Sequence, residues 1–231
     1  MARSFKQSQG RPIRSFVLRK GRLTRAQQRA LDELWPAYGI NYEHSVVDFS
    51  SHFGRDAPLV VEIGFGNGDA LIAMAKAEPH INFIGIEVYR PGVGAVLAGI
   101  KAASLVNVRL VCEDAVDVLE YMIADTSLSG LRLFFPDPWP KKRHHKRRLV
   151  QAGFVEMLAA KLTRGALIHM ATDWQDYADQ MLALLGKNPL FLNTAPDGGF
   201  SRRPASRPLT HFEKRGTRLG HDVWDILFTR C

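Results

Sequence analysis

A short apolar run that breaks into three glycines at alternate positions constrains this chain more than anything else in it: Leu59-Val60-Val61-Glu62-Ile63-Gly64-Phe65-Gly66-Asn67-Gly68-Asp69. The run reads as a buried strand. Ala70-Leu71-Ile72-Ala73-Met74-Ala75 behind it reads as a helix. Strand, glycine turn and helix in immediate succession form the ligand-binding corner of an α/β unit. Glycine lets a ligand lie against bare backbone, and the first turn of a helix offers unpaired N–H groups.

The pattern is regular downstream. Strand-like runs fall at 59–63, 82–88, 108–112, 131–135 and 166–171, with helical patterns between them. The clearest helical pattern is 147–163, with Val150, Phe154, Val155, Leu158 and Leu162 on one stripe and Gly165 as a stop. Thr24 is placed to cap a helix through Trp35 that Pro36 and Gly39 end. A helix is expected near 174–186, then strands near 189–194 and 222–229 with no helix between, which suggests an antiparallel finish. Alternating strands and helices predict a mainly parallel, doubly covered sheet. Ligands in such sheets collect beyond the carboxyl ends of the strands.

The length of 231 residues suits one large domain, here expected over 26–231. No apolar run approaches the ~20 residues of a membrane span, and the basic N-terminus lacks a signal peptide's apolar core. Cys112 and Cys231 fit no metal or redox spacing, so a cytoplasmic protein is expected. The net charge of +8 equals the eight Lys/Arg of residues 1–25, where there is no acid. That stretch is expected to be a disordered basic extension, and a basic arm on a neutral body suggests a polyanion, nucleic acid before membrane. A monomer is expected, with a homodimer left open.

Carboxylates recur at the strand ends: Glu62, Glu87, Asp114, Asp137 and Asp173. In a parallel sheet these ends share one rim. Glu87 lies nineteen residues after Gly68, where a carboxylate accepts the hydroxyls of a ribose. This serves NAD and adenosylmethionine enzymes alike. The glycine spacing is not G-x-G-x-x-G, however, and Glu62 beside the turn would repel a pyrophosphate but suit a ligand with a cationic end. Glu113-Asp114 can accept from an adenine amino group. These features favour S-adenosyl-L-methionine over NAD.

Phe135-Pro136-Asp137-Pro138-Trp139-Pro140 then leads into Lys141-Lys142-Arg143-His144-His145-Lys146-Arg147-Arg148. Prolines on both sides of Asp137 restrict the backbone, and Trp139 offers a flat face for a base. Six Lys/Arg within eight residues, read as a helix start, would oppose the helix dipole, so phosphate is the natural partner. His144 and His145 lack further ligands, and no metal site is expected. The connection 195–221 is long and basic, and a loop of that length in a compact domain is usually functional or disordered.

The run Pro136 to His144, with Glu62 to Gly68 before it and Thr210-His211-Phe212-Glu213 after it, resembles the bacterial tRNA (guanine-N7-)-methyltransferase family, TrmB type, over about residues 40–231. The resemblance implies a class I S-adenosylmethionine-dependent methyltransferase (Rossmann-like) fold, with a seven-stranded, mostly parallel sheet and an antiparallel last strand. It implies methylation of a tRNA guanine at N7, the variable-loop guanine at tRNA position 46. It implies cofactor contacts from Glu62, Gly64, Glu87, Asp114 and Asp137, with Asp137 also catalytic. Lys141, Asp173, Thr210, His211, Phe212 and Glu213 would hold the guanine or its surroundings. Arg143, His144, His145, Lys146, Arg147 and Arg148 would track the RNA backbone.

Overall fold

The buried runs pair as parallel strands, and helices close both faces of the sheet they make. The structure, a computed structural model, describes residues 14–17, 21–209, 213 and 222–231. Its strands are β1 (Gly39–Ile40), β2 (Leu59–Ile63), β3 (Asn82–Ile86), β4 (Val108–Val111), β5 (Leu128–Phe134), β6 (Leu162–Thr172), β7 (Phe191–Asn193) and β8 (Trp224–Arg230). The helices are α1 (Arg25–Tyr38), α2 (Phe49–Phe53), α3 (Asp69–Ala77), α4 (Arg90–Ala102), α5 (Ala115–Asp117, continued by a π turn over Val118–Met122), α6 (Ala152–Lys161) and α7 (Gln175–Lys187).

Among the described residues the sheet order is β1-β4-β3-β2-β5-β6-β8-β7. Pairing from β1 to β6 is parallel, and β8 runs antiparallel to both β6 and β7. Side chains alternate between faces with period two. Leu59, Val61 and Ile63 therefore enter the core shared with α5, α6 and α7. Val60 enters the second core, shared with α1, α3 and α4. Glu62 follows Val60 onto that second face.

The expected fold class holds, with eight described strands where seven were expected. The additional one, β1, is a two-residue edge strand on β4, too short to leave a periodic signal. Pro36 lies inside α1, which runs on to Tyr38. A proline there removes a single backbone bond in the last turn. Gly165 does not stop the chain before a strand. It sits inside β6, where the register against β5 shifts between Leu128 and Gly130. The helix expected over 147–163 spans only Ala152–Lys161, and the basic run before it is a separate 3-10 helix, Lys142–Arg147. Among the described residues no helix is long and apolar enough to cross a membrane.

Thr24 caps α1 as its sequence suggests. Its hydroxyl accepts from Gln27 N at 3.2 Å, and Gln27 returns a bond to Thr24 N at 2.9 Å. Such reciprocal caps fix the entry of the chain. Thr24→Ala is expected to lower stability by about 1 kcal/mol, read as a lower urea midpoint at unchanged slope.

Candidate active site

The glycine turn is built around Glu87. Gly64, Gly66 and Gly68 have φ of +72°, +56° and +79°, the left-handed region that favours glycine. This winding aims Gly66 N at Glu87 Oε2, 3.0 Å away. Val88 N and Tyr89 N donate to Glu87 Oε1 at 2.8 and 3.0 Å. One lone pair of Oε2 is left for a ligand. Burial pushes the Glu87 carboxyl up from its ordinary range, and the three amides pull it back only in part. Gly92, in the first turn of α4, packs directly on the turn: a Cβ there would lie 2.3 Å from the Gly66 carbonyl oxygen.

Asp114 caps α5, its side chain accepting from Val116 N at 3.1 Å. It is buried, and burial raises its carboxyl. Glu113 accepts from Asp114 N at 2.9 Å. Past β5 the chain is strained on both sides of Asp137. Phe135 and Trp139 adopt φ of +52° and +48° although neither is glycine, a conformation that costs on the order of 1–3 kcal/mol each and recurs at functional sites. Trp139 does not present a bare face. The Arg147 guanidinium lies 4.1 Å from its ring centre, and its Nε1 donates to Ser15 O at 3.0 Å.

These pieces line one cavity of about 450 Å³, whose wall includes Gly64, Glu87, Asp114, Phe135 and Asp137, closed on one side by Ser15, Phe16 and Val17. Four of the five expected cofactor residues thus converge. Glu62 stands behind the wall, on β2 between the wall residue Ile63 and the buried Val61. It is 2 % exposed, and its Oε2 has no hydrogen-bond partner. Arg132, its register neighbour on β5, turns instead to Glu78 at 2.7 Å.

The basic run divides in two. Lys141, Lys142, Arg143 and Lys146 are exposed, and His144, His145 and Arg147 are half-buried. Arg148 departs from the expected RNA track. It is buried, and donates to Pro138 O at 2.8 Å, Gln180 Oε1 at 2.7 Å and Asp176 Oδ2 at 2.5 Å. The reason is local: the run is not the first turn of a long helix, so the chain bends inward at Arg148. The neighbouring Val150 N donates to the Tyr177 hydroxyl at 3.0 Å, and burial pushes that phenol up to about 12.

Of the expected guanine-binding residues, Thr210, His211 and Phe212 lie outside the described residues. Lys141 is exposed just before the 3-10 helix, and Asp173 is half-buried after β6. Glu213 is buried and pairs with Arg207. Sequence reasoning missed Arg207, His169, Arg132 and the Ser15–Val17 wall. No spacing rule marks them, because their partners are supplied by distant elements. Among the described residues no group of three or more His, Cys, Asp or Glu is placed to hold a metal ion.

Burial raises the Glu62 carboxyl from 4.5 to about 8, and Arg132 lowers it only in part. The folded protein keeps a proton there that the unfolded chain releases above about pH 4.5. Stability from this group is present below that pH and is lost as pH rises through about 8. Glu62→Gln removes the titration while keeping the shape. Its melting temperature, measured without ligand, is expected to fall less between about pH 5 and pH 8 than that of the wild type.

The chain matches the methyltransferase family model Methyltransf_4 over residues 56–226. It is 56% identical over 220 residues to the tRNA (guanine-N(7)-)-methyltransferase of Sodalis glossinidius, covering 95% of this chain and 92% of that one. The enzyme of the same name from Methylobacillus flagellatus is 56% identical over 221 residues, with the same coverage. Among solved structures, the 16S rRNA methyltransferase KamB superposes with a TM-score of 0.57 at 18% identity, over 82% of this chain and 95% of that one. That likeness speaks for the class I methyltransferase fold alone. With the family model spanning the glycine turn and the Asp137 segment and reaching the start of β8, and relatives above half identity covered over 92% of their length, the chain belongs to the tRNA (guanine-N(7)-)-methyltransferase family.

Proposed function

We infer that this protein transfers the methyl group of S-adenosyl-L-methionine to N7 of a guanine in tRNA, with Asp137 at the reacting centre. The observation that carries this reading is the Asp137 segment, strained at Phe135 and Trp139, at the wall of a cavity shared with Gly64, Glu87 and Asp114. The cavity fits the cofactor by chemistry as well as size. Glu87 keeps an acceptor for a ribose hydroxyl, Asp114 is an acceptor for the adenine side, and Glu62 is a buried carboxyl that a nearby cation would satisfy. When bound there, S-adenosyl-L-methionine supplies a methyl group already activated by its sulfonium charge.

The protein's share of the chemistry is small. Guanine N7 carries a free lone pair and no proton, so no base has to expose it. As the N7–carbon bond forms and the carbon–sulfur pair returns to sulfur, positive charge moves onto the purine. A fixed carboxylate such as Asp137 stabilises that charge and orients the guanine edge, and positioning supplies most of the rate. Lys141, Asp173 and the 210–213 segment hold the base in this reading, and Arg143, His144, His145, Lys146 and Arg147 follow the phosphates. A tRNA substrate fits a cytoplasmic setting.

The test is methyl transfer from labelled S-adenosyl-L-methionine to unmodified tRNA, followed by nucleoside analysis. Label in 7-methylguanosine is expected, mapping to the variable loop, and its loss in Asp137→Ala with tRNA affinity retained. Label in another nucleoside, or turnover near wild type in Asp137→Ala, would refute the assignment. A second test separates the two halves of the basic run. Arg143→Glu with Lys146→Glu is expected to weaken tRNA binding and flatten its salt dependence, because fewer counterions are released. Arg148→Ala is expected to leave the salt slope unchanged and lower turnover, because its guanidinium holds Pro138 beside Asp137.

A further inference from the structure

The carboxyl end of β6 carries an indole where a helix start prefers a small polar side chain. Trp174 is the N-cap of α7, and its side chain makes no bond to the helix. Ser, Thr, Asp and Asn are the usual choices there, because their oxygens bond the free N–H groups of the first turn. Trp174 instead stands 38 % exposed. Its backbone is held on both sides. The Trp174 N–H donates to Thr172 Oγ1 at 3.2 Å, and its carbonyl accepts from Tyr177 N and Ala178 N at 3.0 and 2.9 Å. A single exposed apolar side chain is ordinary on a protein surface. One that takes the place of a cap on a rigid helix start is a local conflict, and such conflicts gather at functional sites.

The place is specific as well. A backbone bond from Phe135 N to Ala171 O, at 2.8 Å, carries the ladder of β5 and β6 past the end of β5. Two residues on, one chain reaches Asp137; three residues on, the other reaches Trp174. Arg148 bridges them, bonding Pro138 O at 2.8 Å and Asp176 Oδ2, in the first turn of α7, at 2.5 Å. His145 Nε2 of the basic run lies 3.7 Å from the same Asp176 oxygen. Trp174 therefore shares a rim with Asp137 and with the basic run. Trp139, the expected face for a base, is taken: Arg147 lies over its ring, and His144 meets it edge-on at 5.9 Å between ring centres. Among the described residues no ring or cation stacks on Trp174. Nor does Trp174 line the cofactor cavity.

We propose that Trp174 is a stacking platform for the tRNA base next to the target guanine. The proposal rests on the reading that a tRNA guanine is methylated beside Asp137. An enzyme that works on one base draws it out of its stack, and the base beside it loses a partner. An indole on a fixed backbone replaces that partner whatever the neighbouring base is, because every base has a π face.

The test uses the full-length protein, S-adenosyl-L-methionine and unmodified tRNA, either intact or assembled with one abasic nucleotide on one side of the target guanine. Trp174→Leu keeps apolar bulk and removes the π face. Its kcat/KM for intact tRNA is expected to fall about 10-fold, within the range for losing one base–aromatic stack, and Trp174→Phe is expected to restore most of it. The salt dependence of tRNA binding is expected to stay unchanged, because no phosphate contact is lost. Trp174→Ser supplies the missing cap, so its melting temperature is expected to hold or rise while its kcat/KM for tRNA falls. On one of the two abasic tRNAs, Trp174→Leu is expected to cost nothing further, because the two changes remove the same contact. Leu as active as Phe, a joint fall of melting temperature and tRNA kinetics in Trp174→Ser, or a Leu defect that persists on both abasic tRNAs would each overturn the proposal. Nucleoside analysis of the wild-type product separates the two failures. Label outside 7-methylguanosine refutes the underlying reading and takes the proposal with it. Label in 7-methylguanosine together with any of those three results refutes the role of Trp174 alone.

Discussion

Parallel pairing of β2 with both β3 and β5 is the constraint from which the site follows. Parallel neighbours need long crossovers, and those crossovers become helices on the two faces. All carboxyl ends then open on one rim. The glycine turn after β2, Glu87 after β3, Asp114 after β4 and Asp137 after β5 meet there although they span 73 positions of chain, 64 to 137. No separate device gathers them; sheet topology alone does.

Topology brings Asp137 to the rim but does not fix its carboxylate. Prolines narrow the choices, and the left-handed Phe135 and Trp139 are choices the chain would not make unaided. Two buried arginines hold the segment in that state from opposite directions. Arg148 binds Pro138 O on the C-terminal side, and Arg207 stacks over Phe134 and Phe135 on the N-terminal side. Each is anchored to a different part of the fold, Arg148 through Asp176 and Gln180 of α7 and Arg207 through Asp225 of β8. Strain around Asp137 is thus balanced by charge pairing with rigid elements, fully buried at Arg207–Asp225 and partly open to water at Arg148–Asp176.

This division explains what the sequence made legible. Buried parallel strands read as near-continuous apolar runs, so β2, β3 and β4 fell close to their expected bounds, and the acids that follow them announced the rim. The turn and the Asp137 motif were legible because glycine and proline report backbone geometry directly. Arg148 and Arg207 were not. An arginine looks alike in sequence whether it faces phosphate or a buried carboxylate, and Asp176 and Asp225 lie 28 and 18 residues from their partners. The same ambiguity misread the basic run as the start of one long helix. Val150, Phe154, Val155 and Leu158 do share a core, but Val150 reaches it from outside α6, through the bend that buries Arg148.

The electrostatics of the cavity select among ligands more sharply than its shape does. Burial pushes Glu62, Glu87 and Asp114 all upward, with Asp137 adding to the effect at Glu87. Each raised carboxyl is a free-energy cost of burial that the fold retains. A dinucleotide would bring its pyrophosphate against the turn and deepen that cost. A neutral ligand would leave it in place. A molecule with an ammonium and a sulfonium relieves it, because each cation favours the charged form of a nearby carboxyl. An acidic rim of this kind is a reason for the basic residues to stand apart on the 3-10 helix and leading loop, where phosphate can approach without meeting the carboxylates.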